Sequence, residues 1–116
     1  MNTLELLKNY KIALAELSEA ALYTTGQARQ RASRVYIPAA NHIGLVNAEY
    51  ALLRVRESLY EYLHARGADE KTDKIKTLEA RLNCARMAIM SAQASLMSAQ
   101  HSAQQSAQQS AQGAAA

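Results

Sequence analysis

An uninterrupted apolar repeat in the C-terminal half of the chain is the feature that most constrains its fold. Apolar residues recur there at alternating intervals of three and four residues, over about four heptads, which is the spacing of a helical packing seam. We call these positions the aliphatic seam: Ile75, Leu78, Leu82, Ala85, Ile89, Ala92, Leu96 and Ala99. The small alanines among them allow a partner helix to approach closely. The seam therefore requires at least one other long helix to cover it.

Two further long helices are predicted, over about residues 3–23 and 39–64. The first opens with Asn2 and Glu5, which have the spacing of a capping box. The second carries one apolar stripe at heptad spacing and another beside it, so it is apolar over much of its circumference. That pattern favours a central position in a bundle. The second stripe consists of Val46, Tyr50, Leu53, Tyr60 and Leu63.

The segment between these helices, residues 24–38, has two interpretations from sequence, a loop or a short basic helix. Gly26 is a candidate C-cap for the first helix, and Pro38 suits the first turn of the second. A short turn at Gly67 then leads to the third helix, over about 69–97, with Asp69 as its N-cap. A link this short between long helices predicts an antiparallel hairpin.

The composition agrees with an all-α fold. The chain has no Trp and no Phe, so its core must consist mainly of aliphatic residues and alanine, which favours close-packed helices over a sheet. We predict a three-helix bundle or helix hairpin, formed by one domain over residues 1–97, with a long coiled-coil-like C-terminal helix.

The last residues, 98–116, form a low-complexity Ser-Ala-Gln tail with a four-residue repeat. Residues 87–116 contain no Asp, Glu, Lys or Arg. We predict that the tail extends the third helix within an assembly, while a disordered tether is the alternative reading. A fully helical tail would project about 25 Å beyond the hairpin at the helical rise per residue.

The net positive charge of the chain comes from one segment, residues 27–36. The net charge of +3 equals that of Arg29, Arg31 and Arg34 together, because the rest of the chain is balanced. These arginines with Tyr36 are candidate nucleic-acid contacts, since arginine binds phosphates and tyrosine stacks on bases. A solubilising linker, or one that pairs with Glu16 and Glu19, is the alternative.

No pattern of catalytic or metal-binding residues is recognisable in the sequence. The three histidines and the single Cys84 lack the convergent spacing that zinc or a nucleophilic site needs, and no phosphate-binding loop occurs. We therefore expect no enzyme activity, no cofactor and no bound metal. No signal peptide or transmembrane helix is predicted, so we expect a cytoplasmic or virion-incorporated protein and regard a membrane partner as unfavoured.

These features together favour a non-catalytic helical structural or assembly subunit of a larger multi-copy complex, with copies of itself or other subunits as partners. The most concrete version is a phage virion component of the internal or ejection type, which composition alone suggests. The alternatives are a small nucleic-acid-binding or regulatory module that uses the 27–36 segment, and a helical adaptor or inhibitor of a host protein.

Overall fold

The computed structural model describes the backbone of residues 1–115 and the side chains of residues 1–99. Over this part the chain forms four α-helices and one 3₁₀-helix, without any strand. The elements are α1 (Thr3–Ala20), α2 (Thr25–Arg34), the 3₁₀-helix (Ile43–Leu45), α3 (Val46–His64) and α4 (Ala68–Ala115). The all-α prediction is therefore confirmed.

Helix α1 begins as its sequence predicts. The Glu5 backbone N–H donates to Asn2 Oδ1 at 2.8 Å, and Asn2 Nδ2 donates to the Glu5 carboxylate at 3.1 Å. The first bond satisfies a helix-end N–H that would otherwise lack a partner, and the second joins the two side chains. The helix ends at Ala20 rather than at the predicted residue 23, because the Leu22 and Tyr23 N–H groups bond three residues back and Thr24 has an extended backbone that breaks the helix before α2 begins.

The segment left open by the sequence contains a helix followed by non-helical chain. Helix α2 occupies Thr25–Arg34, so Gly26 lies in its first turn and is not the C-cap of α1. The buried residues of α2 are Ala28 and Ala32, whose small side chains let this helix pack closely on the rest of the bundle. After Val35 the chain has no regular secondary structure up to residue 40 and bends at Asn41 and His42.

Helix α3 begins later than predicted, at Val46 instead of residue 39. Two tertiary hydrogen bonds hold the preceding segment in a non-helical conformation. The buried Tyr10 hydroxyl donates to the Pro38 carbonyl at 2.7 Å, and the Ala40 N–H donates to the Glu49 carboxylate at 2.8 Å. The prediction that Pro38 opens this helix was therefore wrong, because tertiary contacts favour a different backbone there.

Helices α3 and α4 form the predicted hairpin through a three-residue link that ends at Gly67, whose φ is +82°. Glycine adopts this left-handed conformation at little steric cost. Helix α3 is central: its buried residues face both α4 and α1. They are Ala48, Leu52, Val55, Ser58 and Leu59.

Helix α4 is much longer than the helices that cover it. Its 48 residues correspond to about 72 Å, whereas the 19 residues of α3 correspond to about 28 Å. The α1 side chains nearest the end of the bundle, such as Leu4, face Leu96 and Met97 of α4. The remaining backbone, residues 100–115, continues as helix beyond this level, and the molecule measures 74 × 23 × 19 Å. Ala116 and the side chains of the predicted tail from residue 100 onward lie outside the described residues.

Replacing Tyr10 by Phe tests the contact that anchors the non-helical segment before α3. Tyr10→Phe leaves the buried Pro38 carbonyl without its donor, so we expect the free energy of unfolding to fall by about 1–3 kcal/mol at neutral pH. Tyr36→Phe is the matched control, because Tyr36 is 61% exposed, and it should change stability by less than about 0.5 kcal/mol. Urea denaturation followed by circular dichroism measures both.

The difference in stability between the wild type and Tyr10→Phe should depend on alkaline pH. Burial, with a smaller effect of the Glu49 and Tyr36 charges, raises the pKa of Tyr10 to about 12. Between the ordinary tyrosine pKa of about 10 and that value, the unfolded chain releases a proton that the native state retains. Stability therefore falls as pH rises through this window, and the advantage of the wild type over Tyr10→Phe should shrink there. A difference that stays constant from neutral pH into this window would contradict the assignment.

Candidate functional site

The structure places the aliphatic seam of α4 against the chain's own helices. Four of its members are buried in the core, namely Leu78, Ala85, Ile89 and Ala92, and three are half-buried against that core, namely Ile75, Leu82 and Leu96. Ala99, the last member, is exposed. Since α3 and α1 cover the seam up to Leu96, this face is not free to receive a helix from another chain.

A second apolar row lies on the opposite, solvent-facing side of α4. Met87, Met90 and Met97 are 69%, 66% and 61% exposed, and Ala94 between them is also exposed. These four residues, which we call the methionine seam, recur at intervals of three, four and three, the same alternation as the aliphatic seam. Their spacing and lack of charge could have identified this second seam from sequence. Spacing could not show which seam the chain covers and which it leaves exposed.

A third apolar surface lies at the start of α3. Ile43, Val46, Tyr50 and Leu53 are 88%, 50%, 60% and 44% exposed and follow a three-four-three spacing; we call them the α3 stripe. Val46, Tyr50 and Leu53 belong to the second stripe predicted for this helix. Its remaining members, Tyr60 and Leu63, are half-buried against the core. The apolar circumference of α3 is thus covered at its C-terminal end and exposed at its N-terminal end.

The structure separates the arginines of the basic segment. Arg29 and Arg31 are two residues apart in α2, so they point about 160° apart around its axis. Arg29 Nη2 lies 2.6 Å from His64 Nε2, while His64 Nδ1 lies 2.8 Å from the Tyr60 carbonyl. A neutral His64 with its proton on Nδ1 satisfies both contacts. Arg29 therefore belongs to the α2–α3 junction.

Arg31 and Arg34 lie on the other side of α2, at a groove shared with α1. The groove has a volume of about 650 Å³, and its α1 wall carries Glu16 and Glu19. The Arg31 guanidinium stacks on the Tyr23 ring at 3.8 Å. These carboxylates oppose the approach of a phosphate, because they reduce the positive potential at the groove.

The four predicted nucleic-acid contacts therefore do not form one array. The exposed Tyr36 lies on the non-helical segment after α2, Arg29 faces α3, and Arg31 and Arg34 face α1. Among the side chains that the structure describes, no ion pair closer than 4.0 Å joins the arginines to Glu16 or Glu19; the pairs found there are Arg54–Glu57 and Lys74–Glu61.

The described residues contain no group of three or more His, Cys, Asp or Glu side chains that could hold a metal ion. Cys84 is exposed on α4, next to the methionine seam in register. The side chain of His101 is outside the described part. Helices long and apolar enough to cross a membrane are likewise absent from the part searched.

Comparison with known proteins identifies no relative of this chain. Neither a protein-family model, nor a curated protein, nor a solved structure matches the chain. The candidate functional surfaces are therefore the three that its own geometry defines: the methionine seam, the α3 stripe and the polar groove between α1 and α2.

Shortening a buried residue of the aliphatic seam tests how the chain uses this seam. Leu78 is 2% exposed, so Leu78→Ala should lower the free energy of unfolding by about 2–5 kcal/mol through lost burial and a cavity. The adjacent, exposed Glu79 gives the control Glu79→Ala, for which we expect a change below about 0.5 kcal/mol. Equal small effects in thermal or urea denaturation would show that α4 packs through another face.

Proposed function

We propose that this protein is a non-catalytic structural subunit of a multi-copy assembly, in which the C-terminal part of α4 joins one copy to others. The observation that carries the proposal is the projection of α4 beyond its own bundle. The helix continues from Ala68 to Ala115, whereas the helices that cover it reach only as far as Leu96 and Met97.

The energetics of an isolated helix support this proposal. The 16 residues of the projection, 100–115, form about 24 Å of helix, close to the length below which isolated helices are marginal in water without tertiary contacts. Residues 87–116 also lack formal charge, so they have none of the ion pairs that stabilise exposed helices. A helix of this composition gains most of its stability when other helices pack beside it.

The absence of charge also suits a multi-copy arrangement. Chains gathered closely at one site repel one another when they carry like charges. All thirteen basic and ten acidic residues of this protein precede residue 87, so the projecting part can meet its own copies without that repulsion. A phage virion component of the internal or ejection type, or a cytoplasmic assembly, is compatible with this geometry. Composition is the only support for the phage version.

The helical adaptor is the second candidate, and the α3 stripe is the observation that favours it. Four apolar residues at heptad spacing on an exposed helix face resemble the anchors of helix-in-groove recognition. The nucleic-acid alternative has weaker support, because the arginines of the basic segment point to different sides and two of them face carboxylates. The projection of α4 has no role in either alternative, which is why we prefer the assembly function.

Truncation tests the assembly function. We expect the full chain to form a species of at least twice the monomer mass by light scattering at micromolar concentration, and a chain ending at Ala99 to be monomeric. The truncated chain keeps the core residues, so its helical circular dichroism per residue in the bundle should persist. A monomeric full chain, or a truncated chain that assembles equally well, would refute the proposed role of α4.

A matched substitution separates the assembly function from the adaptor function. Leu53→Glu alters the α3 stripe at a side chain that is already 44% exposed and leaves α4 intact. The mass of the full chain should not change if α4 is the joining element. Loss of assembly in Leu53→Glu, with assembly retained after truncation at Ala99, would move the interface to α3.

A further inference from the structure

We propose that the methionine seam is covered by the C-terminal part of α4 from a second copy of this chain, which runs antiparallel to it about a two-fold axis at His101. This inference deepens the assembly function proposed above and rests on it. It specifies the partner, the direction of pairing and the register.

The first argument is the exposure of the methionine seam. Three long apolar side chains on one helix face are each more than 60% exposed, and the flanking positions Ser91 and Ser98 are uncharged and exposed as well. Uncharged apolar rows at heptad spacing are typical of helix-pairing surfaces. Met97 borders a surface groove shared with Leu4 of α1, and the side chains described for this chain leave most of the row open to a partner from a second chain.

The second argument is continuity of the spacing along the projecting helix. The apolar alternation ends at Met97, but the same register positions can be followed along a backbone that is helical to Ala115, and the residues at those positions are uncharged polar or small. The continuing register positions are His101, Gln104, Gln108, Ala111 and Ala115. From Met87 to Ala115 the register spans four heptads, of which the first half is apolar and the second half is uncharged polar residues and alanine. The projection therefore continues the same register as the methionine seam.

The third argument is that charge restricts the register from both directions. The charge-free stretch 87–116 has its midpoint between residues 101 and 102, so antiparallel pairing about His101 matches this stretch with its copy to within one residue at each end. A shift of one heptad toward the bundles would set each tail against Arg81 and Arg86 of the other copy. A shift of one heptad outward would leave Met87 and Met90 uncovered.

The fourth argument is that this register pairs large side chains of one copy with small side chains of the other. Met87 lies level with Ala115, and Met90 lies within one residue of the level of Ala111, so the outer methionines of one copy meet alanines of the other. Methionine is flexible and fills irregular gaps against small neighbours. A parallel pair would instead set each methionine against its own copy and bring Arg81 and Arg86 near their equivalents.

Disulfide trapping distinguishes the antiparallel pair from other arrangements. In a Cys84→Ala background, which removes the single native cysteine, His101→Cys places a thiol at the proposed axis and should give a covalent dimer on mild oxidation. Ala94→Cys is the matched control on the same seam. In the antiparallel pair, the two copies of residue 94 are about 21 Å apart along the helices, far beyond the roughly 7 Å Cα separation that a disulfide tolerates.

A charge substitution tests whether the methionine seam itself is buried in the dimer. Met90→Glu puts a carboxylate into the proposed interface, and we expect the dimer to dissociate at concentrations at least about tenfold higher than for the wild type. Ser95→Glu is the control, because Ser95 is also exposed within the charge-free stretch but lies outside the seam and its flanking positions. Its dissociation should change by less than about threefold. Both substituted side chains are exposed in the monomer, so the bundle stays folded.

The outcomes separate this inference from the proposed function. Covalent dimers of Ala94→Cys, whether or not His101→Cys reacts, or equal effects of the two glutamates, would overturn the antiparallel pairing. So would an assembly that depends on the tail but yields no covalent dimer from His101→Cys. In each of these cases the assembly function stands if truncation at Ala99 still abolishes assembly. A full chain that is monomeric at every concentration would refute both.

Discussion

The packing of the aliphatic seam of α4 against α3 is the interaction on which the rest of the structure depends. Leu78, Ala85 and Ile89 face the buried side of α3 in a common core, and the alanine allows the two helix axes to approach closely. Helix α1 covers what the hairpin leaves open, and α2 closes the bundle through two buried alanines. Because one face of α4 is used in this way, its opposite face and its C-terminal part are the surfaces left for other chains.

The long helices are predictable from sequence because apolar periodicity is a local property. The start of α3 is not, since Pro38 and the residues after it are held in a non-helical conformation by Tyr10 and Glu49, which are 28 and 9 residues away in the chain, respectively, from the backbone groups that they bind. Nothing in the sequence of the segment that precedes α3 predicts these two hydrogen bonds. The end of α1 also differs from the prediction, because Thr24 takes an extended backbone as the N-cap of α2 and so separates the two helices.

For the candidate surfaces, residue spacing in the sequence predicts which residues form a row, but helix packing decides which side chains share a face and which remain exposed. Sequence proximity grouped Arg29, Arg31 and Arg34 as one basic site. A helix places neighbours two positions apart on different sides, and the packing of α2 then gave one side to His64 and the other to Glu16 and Glu19. The methionine seam is a different case, because its residues do lie on one face of a helix. Its residues stand in a regular pattern, but only the structure shows that the chain buries the other seam and leaves this one exposed.

The separation of charge along the chain bears on the direction in which copies would associate in the assembly that we propose. The net charge of +3 and every Asp, Glu, Lys and Arg belong to residues 1–86, while the rest of α4 is neutral. Two copies therefore repel at their bundles and not at their projecting helices, although salt weakens this repulsion beyond about 8 Å. Antiparallel pairing of the neutral helices places the bundles at opposite ends, where the repulsion is smallest. In the proposed pairing, the same distribution that leaves residues 87–115 of α4 without stabilising ion pairs thus favours contact through this part of α4 over contact through the bundle.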